Sequence, residues 1–188
     1  SQHMMPLSLA HMDVYTTGAD KGVGEYVEAA RILKSKYPNI KFKLLGFMGV
    51  DNPSAISKEQ MTEWINEGNV EYLGTTDDVR PFLYKATCIV LPSYREGVPF
   101  SLMEGAAAAK PLVATNAIGC RDVIDDGITG FLCKIKDPID LANKMEKIIL
   151  MSIEDRIQMG LKGRKKMENE YSIELIINKY SCILNNVL

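Results

Sequence analysis

The hydrophobic positions of this chain change period repeatedly, and the changes mark out alternating helices and strands. Between Gly22 and Lys36, Val23, Val27, Ala30, Ile32 and Leu33 recur mostly at three- and four-residue spacing with charged residues between them. This predicts an amphipathic helix, stopped by Pro38 and Asn39. The short apolar run from Lys41 to Phe47, set between that turn and Gly49, predicts a strand. The alternation continues with a helix over 57–67, a strand over 70–73, a helix over 77–84 capped by Thr75, Thr76 or Asp77, and a strand over 88–91. A helix over 99–109, a strand over 112–115, a short helix over 120–125 and a strand over 130–134 follow. From Pro138 onward the pattern predicts helices only, over 139–151, 153–170 and 173–187. The stretch 6–20 makes a poor first strand, because Thr16, Thr17 and Gly18 interrupt its apolar run.

Strands that are apolar on both faces and alternate with helices imply an α/β domain, a Rossmann-like parallel sheet flanked by helices, with ligands at the carboxyl ends of the strands. The 188 residues fit one such domain. Ser1-Gln2-His3-Met4 reads as a remnant of expression, which leaves 5–188 as the domain.

Charge narrows the partners. Twenty-two Lys and Arg against 24 Asp and Glu give no basic excess to attract nucleic acid. The four cysteines, Cys88, Cys120, Cys133 and Cys182, show no CxxC pair and no zinc spacing, so reduced thiols of a cytoplasmic protein are expected. No apolar run reaches the roughly 18 residues a membrane span requires. The basic cluster Lys162, Arg164, Lys165 and Lys166 is balanced by Glu168 and Glu170 and reads as a solvated helix face rather than a membrane contact.

The candidate chemistry lies in LPSYREGVPFSLMEGAAAAKP, residues 91–111, where Glu96 and Glu104 are separated by seven residues. Pro99 suits the first turn of a helix, since its φ is already helical and its missing N–H costs nothing there. Glu96 then falls in the loop before the helix and Glu104 within it. Phe100, Leu102, Met103 and the alanines 106–109 predict a helix buried on most sides, in which an unpaired carboxylate is costly. A lone glutamate would be expected to find a backbone N–H or a lysine. Two of them beside Gly97, Pro99 and a dry helix are better explained by ligand hydroxyls, with the N–H groups of residues 98–101 and the positive helix end available to a diphosphate.

In this setting the chain resembles the family 4 retaining glycosyltransferases of the GT-B fold, also called glycosyl transferases group 1, which carry the E-x7-E pattern. The resemblance covers roughly residues 19–182 and is strongest at 21–46, 70–86, 91–111 and 119–132. It implies the C-terminal, donor-binding half of a two-domain enzyme, with an N-terminal acceptor domain outside this chain and 173–188 as the helix that crosses to it. It implies transfer of a sugar, with retention, from a nucleotide diphosphosugar carrying UDP or GDP to a glycan or lipid-linked acceptor in bacterial cell-surface polysaccharide synthesis. Glu96 and the turn Gly97, Val98, Pro99 and Phe100 would hold the donor sugar, and Glu104 the ribose. Backbone N–H groups of Ser101 and Leu102, with Lys21, would meet the diphosphate, and the loop from Gly74 and Thr75 to Val79 would border the base. No metal or other cofactor is implied, so Asp77 and Asp78 read as helix-capping residues. The implied location is the cytoplasm, with room for peripheral association at the inner face of the membrane.

The sequence departs from the family pattern at Thr16, where an Arg usually stands five residues before the lysine, and at Ala109, where a Gly commonly precedes Lys-Pro. The second departure is of little consequence if the helix runs on to that point. Three other readings stay open: a NAD-binding domain, disfavoured because Gly18, Gly22 and Gly24 do not form GxGxxG; a sugar-nucleotide epimerase or phosphorylase of the same architecture; and a non-catalytic nucleotide-binding module. Tyr94 and Arg95 read equally well as donor contacts or as an exposed loop pair.

Overall fold

In a computed structural model, residues 12–17, 22–46, 56–172 and 174 are described. Along the chain they form β1 (Asp13–Thr17), α1 (Val23–Lys36), β2 (Lys41–Leu45), α2 (Lys58–Asn66), β3 (Glu71–Tyr72), α3 (Arg80–Lys85), β4 (Cys88–Leu91), α4 (Phe100–Ala107), β5 (Leu112–Thr115), α5 (Cys120–Val123), β6 (Gly130–Cys133), α6 (Pro138–Leu150) and α7 (Ile153–Glu170). The strands make one parallel sheet in the order β3-β2-β1-β4-β5-β6. The order reverses direction between β1 and β4, the place where an open parallel sheet leaves a crevice at its carboxyl edge.

Both faces of the sheet are covered, as its continuously apolar strands require. One face carries Val14, Phe42, Leu44, Val90 and Val113, which pack against Tyr26, Val27, Ala30 and Leu33 of α1 and Leu141, Met145, Ile148 and Ile149 of α6. The other carries Tyr15, Ile89, Leu91, Leu112 and Ala114, which meet Leu83 of α3, Leu102 and Ala106 of α4, Cys120 and Val123 of α5, and Met167 of α7. Tyr26 is fully buried, and its hydroxyl donates to the carbonyls of Val14 (2.9 Å) and Lys43 (3.1 Å), so α1 is held to the strands by a polar contact inside an apolar one.

Four expectations need correction. The stretch predicted to be a poor strand is the central one: β1 pairs with both β2 and β4, and Thr16 sits inside it fully buried. Neighbours on both sides fix the backbone, and threonine is β-branched and fits a pleated strand. The helix expected at 77–84 begins at Arg80, because Thr76 and Asp78 close a turn of their own: Asp78 N–H donates to Thr76 Oγ1 at 3.1 Å and Arg80 N–H to Asp78 Oδ1 at 3.0 Å. Asp78 thus acts as a turn residue, whereas Asp77 is only exposed. Helix α4 stops at Ala107 instead of 109, and Ala109 takes φ 56°, the left-handed region that glycine favours, so the departure there has a structural cost. Pro99 stands at the cap position before that helix, with φ −80° and ψ 74°. The helix expected over 173–187, apart from Glu174, lies outside the described residues, as do Lys21, His3, His11 and Cys182.

Candidate functional site

The loops at the carboxyl edge of β1 and β4 meet at the reversal point. Gly22, at φ 87°, begins α1 so close to the β4–α4 loop that a Cβ on it would lie 1.8 Å from the Pro92 carbonyl oxygen. No other residue type fits there without moving the loop. Three residues on, Glu25 accepts a 2.6 Å hydrogen bond from the Tyr94 hydroxyl. Lys136 Nζ sits 5.0 Å from the centroid of the same ring. Burial and the bond to Glu25 push the Tyr94 hydroxyl up to about 12, so it is a neutral donor.

The opposite flank of the loop is pinned by the residues after β5. The Thr115 hydroxyl donates to the Ser93 carbonyl, both residues being buried. Glu96 N–H donates to the Ile118 carbonyl at 3.1 Å. Gly119 lies beneath Glu96, and a Cβ there would come within 2.5 Å of the Glu96 carbonyl oxygen. The backbone carrying Glu96 is therefore fixed from α1 on one side and from the β5–α5 loop on the other.

Glu96 is half-buried and Glu104 exposed, which corrects the expectation of a buried carboxylate in a mostly buried helix. Helix α4 fully buries only Leu102, Gly105 and Ala106, one narrow stripe at helical spacing, with Met103 packed partly against the core and Phe100, Glu104 and Ala107 exposed. Gly105 is what lets it lie so near the sheet, since a Cβ there would stand 2.9 Å from Leu112 Cδ2 and 3.0 Å from Ile89 Cγ1. Among the described residues neither glutamate takes a hydrogen bond or an ion pair on its carboxylate. Glu96 lies near enough to Cys120 to add, after burial, to the rise of that thiol to about 11.

The N–H groups expected to be free at 98–101 are only partly so. Pro99 has none, Phe100 N–H donates to the Val98 carbonyl at 2.9 Å, and Leu102 N–H to that of Pro99 at 3.0 Å. A γ-turn closed by Phe100 N–H and a 3₁₀-like first turn closed by Leu102 N–H use these two donors internally. Gly97, Val98 and Ser101 keep backbone donors with no partner among the described residues. Val98, Phe100 and Ile118 are 54%, 69% and 57% exposed and form an apolar rim beside Glu96.

Gly74 and Thr75 lie in the loop that follows β3, two strands out from β1. Gly74, at φ 78°, accepts from Gly46 N–H at 2.9 Å, and the chain then folds back so that Val79 and Phe82 pack on the core face around Tyr15. The Phe82 and Tyr15 rings meet edge to face with centroids 6.5 Å apart. This brings the 74–79 loop along the same carboxyl edge as Glu96. The described residues hold no group of three or more His, Cys, Asp or Glu side chains arranged to bind a metal.

The sequence marked Tyr94 with Arg95 as donor contacts or an exposed loop pair; Arg95 is exposed, but Tyr94 is half-buried and bonded to Glu25, a partner 69 positions away that no local pattern indicates. Gly119 did leave a signal, since it opens one of the four segments that carry the family resemblance.

Comparison with known proteins agrees with this arrangement. The family described as glycosyl transferases group 1 matches residues 15–166. A Campylobacter jejuni protein named N,N'-diacetylbacillosaminyl-diphospho-undecaprenol alpha-1,3-N-acetylgalactosaminyltransferase is 33% identical over 169 residues, covering 89% of this chain and 42% of the relative. Among solved structures, a variant of TarM from S. aureus, in complex with fondaparinux, alpha-GlcNAc-glycerol and UDP, superposes with a TM-score of 0.80 at 23% identity, covering 98% of this chain and 37% of the other. The C-terminal domain of LpcC from Francisella tularensis, a glycosyl transferase group 1 family protein, superposes with a TM-score of 0.73 at 21% identity, covering 86% of each chain. The chain thus spans less than half the length of the Campylobacter relative, and its fold is the one that GT-B enzymes use.

Proposed function

The chain belongs to the glycosyl transferases group 1 family, and from that premise we propose that it is the donor-binding half of a retaining glycosyltransferase that takes a nucleotide diphosphosugar. The observation that carries the proposal is the pair Glu96 and Glu104, both without partners among the described residues, on either side of the N-terminus of α4 at the reversal point of the sheet. Carboxylates left unpaired at a fixed, half-open loop are suited to accept hydrogen bonds from hydroxyls.

In this reading Glu96, with the Gly97, Val98, Pro99 and Phe100 turn, receives the sugar, and Glu104 the ribose. The diphosphate lies against the free N–H groups of Gly97, Val98 and Ser101 and the positive end of α4, with Lys21 as the neutralising cation. Leu102, whose N–H is already used, would reach the diphosphate only if the first turn of α4 opened. Gly74 and Thr75 border the base.

As the bond from the anomeric carbon to the diphosphate breaks, its electron pair goes to the phosphate oxygen, while the acceptor hydroxyl oxygen bonds to that carbon and its proton passes to the departing diphosphate. The helix end and Lys21 stabilise that developing charge without a resident metal. Nucleotide binding unchanged by EDTA is the corresponding expectation. The apolar rim of Val98, Phe100 and Ile118 is where an N-terminal acceptor domain would close, with 173–188 as the segment that reaches it. The acceptor would be a glycan or lipid-linked sugar of the bacterial surface. The enzyme would work in the cytoplasm or peripherally at the inner face of the membrane; no helix among the described residues is long and apolar enough to cross a membrane.

Calorimetry with UDP, GDP, ADP and NAD on this chain, repeated on Glu104→Ala, tests the proposal. One nucleoside diphosphate should bind selectively, and the variant should lose about 1.5–3 kcal/mol, the usual worth of a charge-assisted hydrogen bond. Equal binding by the variant would remove Glu104 from the site. Preference for NAD would replace the transferase reading with a dinucleotide one.

A further inference from the structure

At the amino edge of the sheet, opposite the loops described above, a cleft of about 200 Å³ opens between α7 and the two loops that lead into β4 and β5. Its walls are Ala86 and Thr87 from one loop, Lys110 and Pro111 from the other, and Ile153 and Arg156 from α7. Arg156 is 7% exposed, yet among the described residues its guanidinium meets no carboxylate and no oxygen. One NH donates to Met12 Sδ at 3.1 Å, a weak acceptor. Burial without an opposing charge holds both Arg156 and Lys110 below their ordinary values. Lys110 spends one of its three donors on the Tyr84 carbonyl at 2.9 Å and pairs with no acid among the described residues.

The Arg156 donors that Met12 does not take are not buried without a partner, so they keep contact with solvent, and Arg156 lines the cleft. An anion that entered there would meet a cation with no opposing charge among the described residues. Neither nearby acid on α7 answers this charge. Asp155 is taken by the Ser152 cap, its carboxylate accepting from the Ser152 hydroxyl at 2.7 Å. Neither Asp155 nor Glu154 lines the cleft. The backbone around the cleft is tightly set. Gly160 lets α7 touch the Ala109 carbonyl, where a Cβ would lie 1.9 Å away, and Ala109 itself is held at φ 56°.

We propose that this cleft, built from Arg156 and Lys110, binds a phosphate-class oxyanion, at a site separate from the nucleotide and at the other end of the strands. Its volume suits a single phosphate group. The apolar lip, with Ile153 56% and Ile157 53% exposed, suits a phosphate attached to a lipid as well as a free one. The site does not depend on the transferase reading, because no residue is shared between the two ends of the sheet.

The test is thermal unfolding of the 188-residue chain in inorganic phosphate, at ionic strength held constant with sodium chloride, without nucleotide. Phosphate should raise the melting temperature, and Arg156→Met and Lys110→Met should each weaken the apparent phosphate affinity by roughly tenfold or more. Dependence of the shift on Arg156 and Lys110, both at the opposite end of the strands from the N-terminus of α4, separates this site from the end of α4. Arg156→Met replaces the side chain by an apolar one of similar reach, and if it fails to fold, Lys110→Met carries the test alone. Co-sedimentation with phosphatidylcholine vesicles, with and without phosphatidylglycerol, distinguishes the sources. Arg156-dependent sedimentation that free phosphate competes away identifies a lipid phosphate, and its absence alongside a phosphate-dependent melting shift identifies a free anion. A phosphate response identical in wild type and both variants, or none beyond that of chloride, overturns the proposal.

Discussion

The Tyr94 hydroxyl and the Glu25 carboxylate meet at 2.6 Å, and through that bond the first turn of α1 holds the loop that carries Glu96. The contact joins the two sides of the reversal point, where Gly22 already touches the Pro92 carbonyl. Removing the hydroxyl leaves the ring and its packing in place. Tyr94→Phe should therefore cost about 0.5–1.5 kcal/mol of stability. Because the loop loses one anchor, the same change should weaken nucleotide binding while Glu96 and Glu104 are intact. The pH dependence has a definite sign. The folded-state hydroxyl titrates near 12 against 10.0 for an ordinary tyrosine, so its contribution is complete below pH 10 and is lost as pH rises toward 12. Alkaline unfolding curves of wild type and Tyr94→Phe should converge over that range, and curves that stay parallel would show that the bond does not form in solution.

The sequence shows the sheet-and-helix alternation because each strand is short, apolar and bounded by a breaker, and each helix has its own period. Strand β4 and helix α7 have the bounds the pattern predicts for them. The first strand was hidden because its two threonines and the glycine that follows them in sequence look like a loop when read locally. Its conformation comes from β2 and β4 on either side, a tertiary effect with no local trace. The E-x7-E spacing marked the site, yet it could not show that Glu104 is exposed or that Leu102 N–H is already bonded. The first depends on how α4 lies on Ile89 and Leu112, which Gly105 permits, and the second on the turn at Pro99, whose carbonyl takes that N–H.

Ala109 and Gly160 form a second coupled pair, and they make opposite predictions. Alanine at φ 56° is strained, so Ala109→Gly should relieve more than the entropy it adds to the unfolded chain and stabilise the protein by about 0.5–1 kcal/mol. Gly160→Ala would drive a methyl to 1.9 Å from the Ala109 carbonyl oxygen and must push α7 off the α4–β5 loop. Its cost should be at least about 1–3 kcal/mol, the range for overpacking a tight contact. Urea unfolding of the two single variants measures both. A neutral Gly160→Ala would mean that α7 sits farther from that loop in solution.

Cys88, Cys120 and Cys133 are free and buried. Burial lifts all three thiols, Cys120 to about 11, Cys133 to about 12 and Cys88 higher still, from an ordinary 9.0. Since the thiolate is the reactive form, these positions should resist iodoacetamide at pH 8 in the folded chain and react fully in urea. Peptide mass mapping resolves each site. The sign for stability is that of any acid whose folded pKa is raised: the neutral thiols stabilise below pH 9, and that contribution falls away as pH climbs through 11 and 12. Rapid alkylation of Cys120 at pH 8 would show that the α5 end of the site opens.

Thr16 is fully buried in the central strand, and its hydroxyl is the single buried side-chain polar atom without a partner among the described residues. Strand alternation places it on the same face as Val14, toward α1. An unmet hydroxyl there carries its desolvation cost with nothing in return. Thr16→Val keeps the branched shape and removes the polar atom, and it should raise stability by about 1 kcal/mol with nucleotide affinity unchanged. The Arg that the family usually places here has no room in a strand closed on both sides, so Thr16→Arg should cost several times as much or prevent folding. Thermal unfolding with and without nucleoside diphosphate separates the outcomes. If Thr16→Val gains stability and binds as before, the missing arginine is a change the fold has absorbed. If it loses nucleotide affinity, the hydroxyl turns toward the ligand and takes over part of the work of the cation.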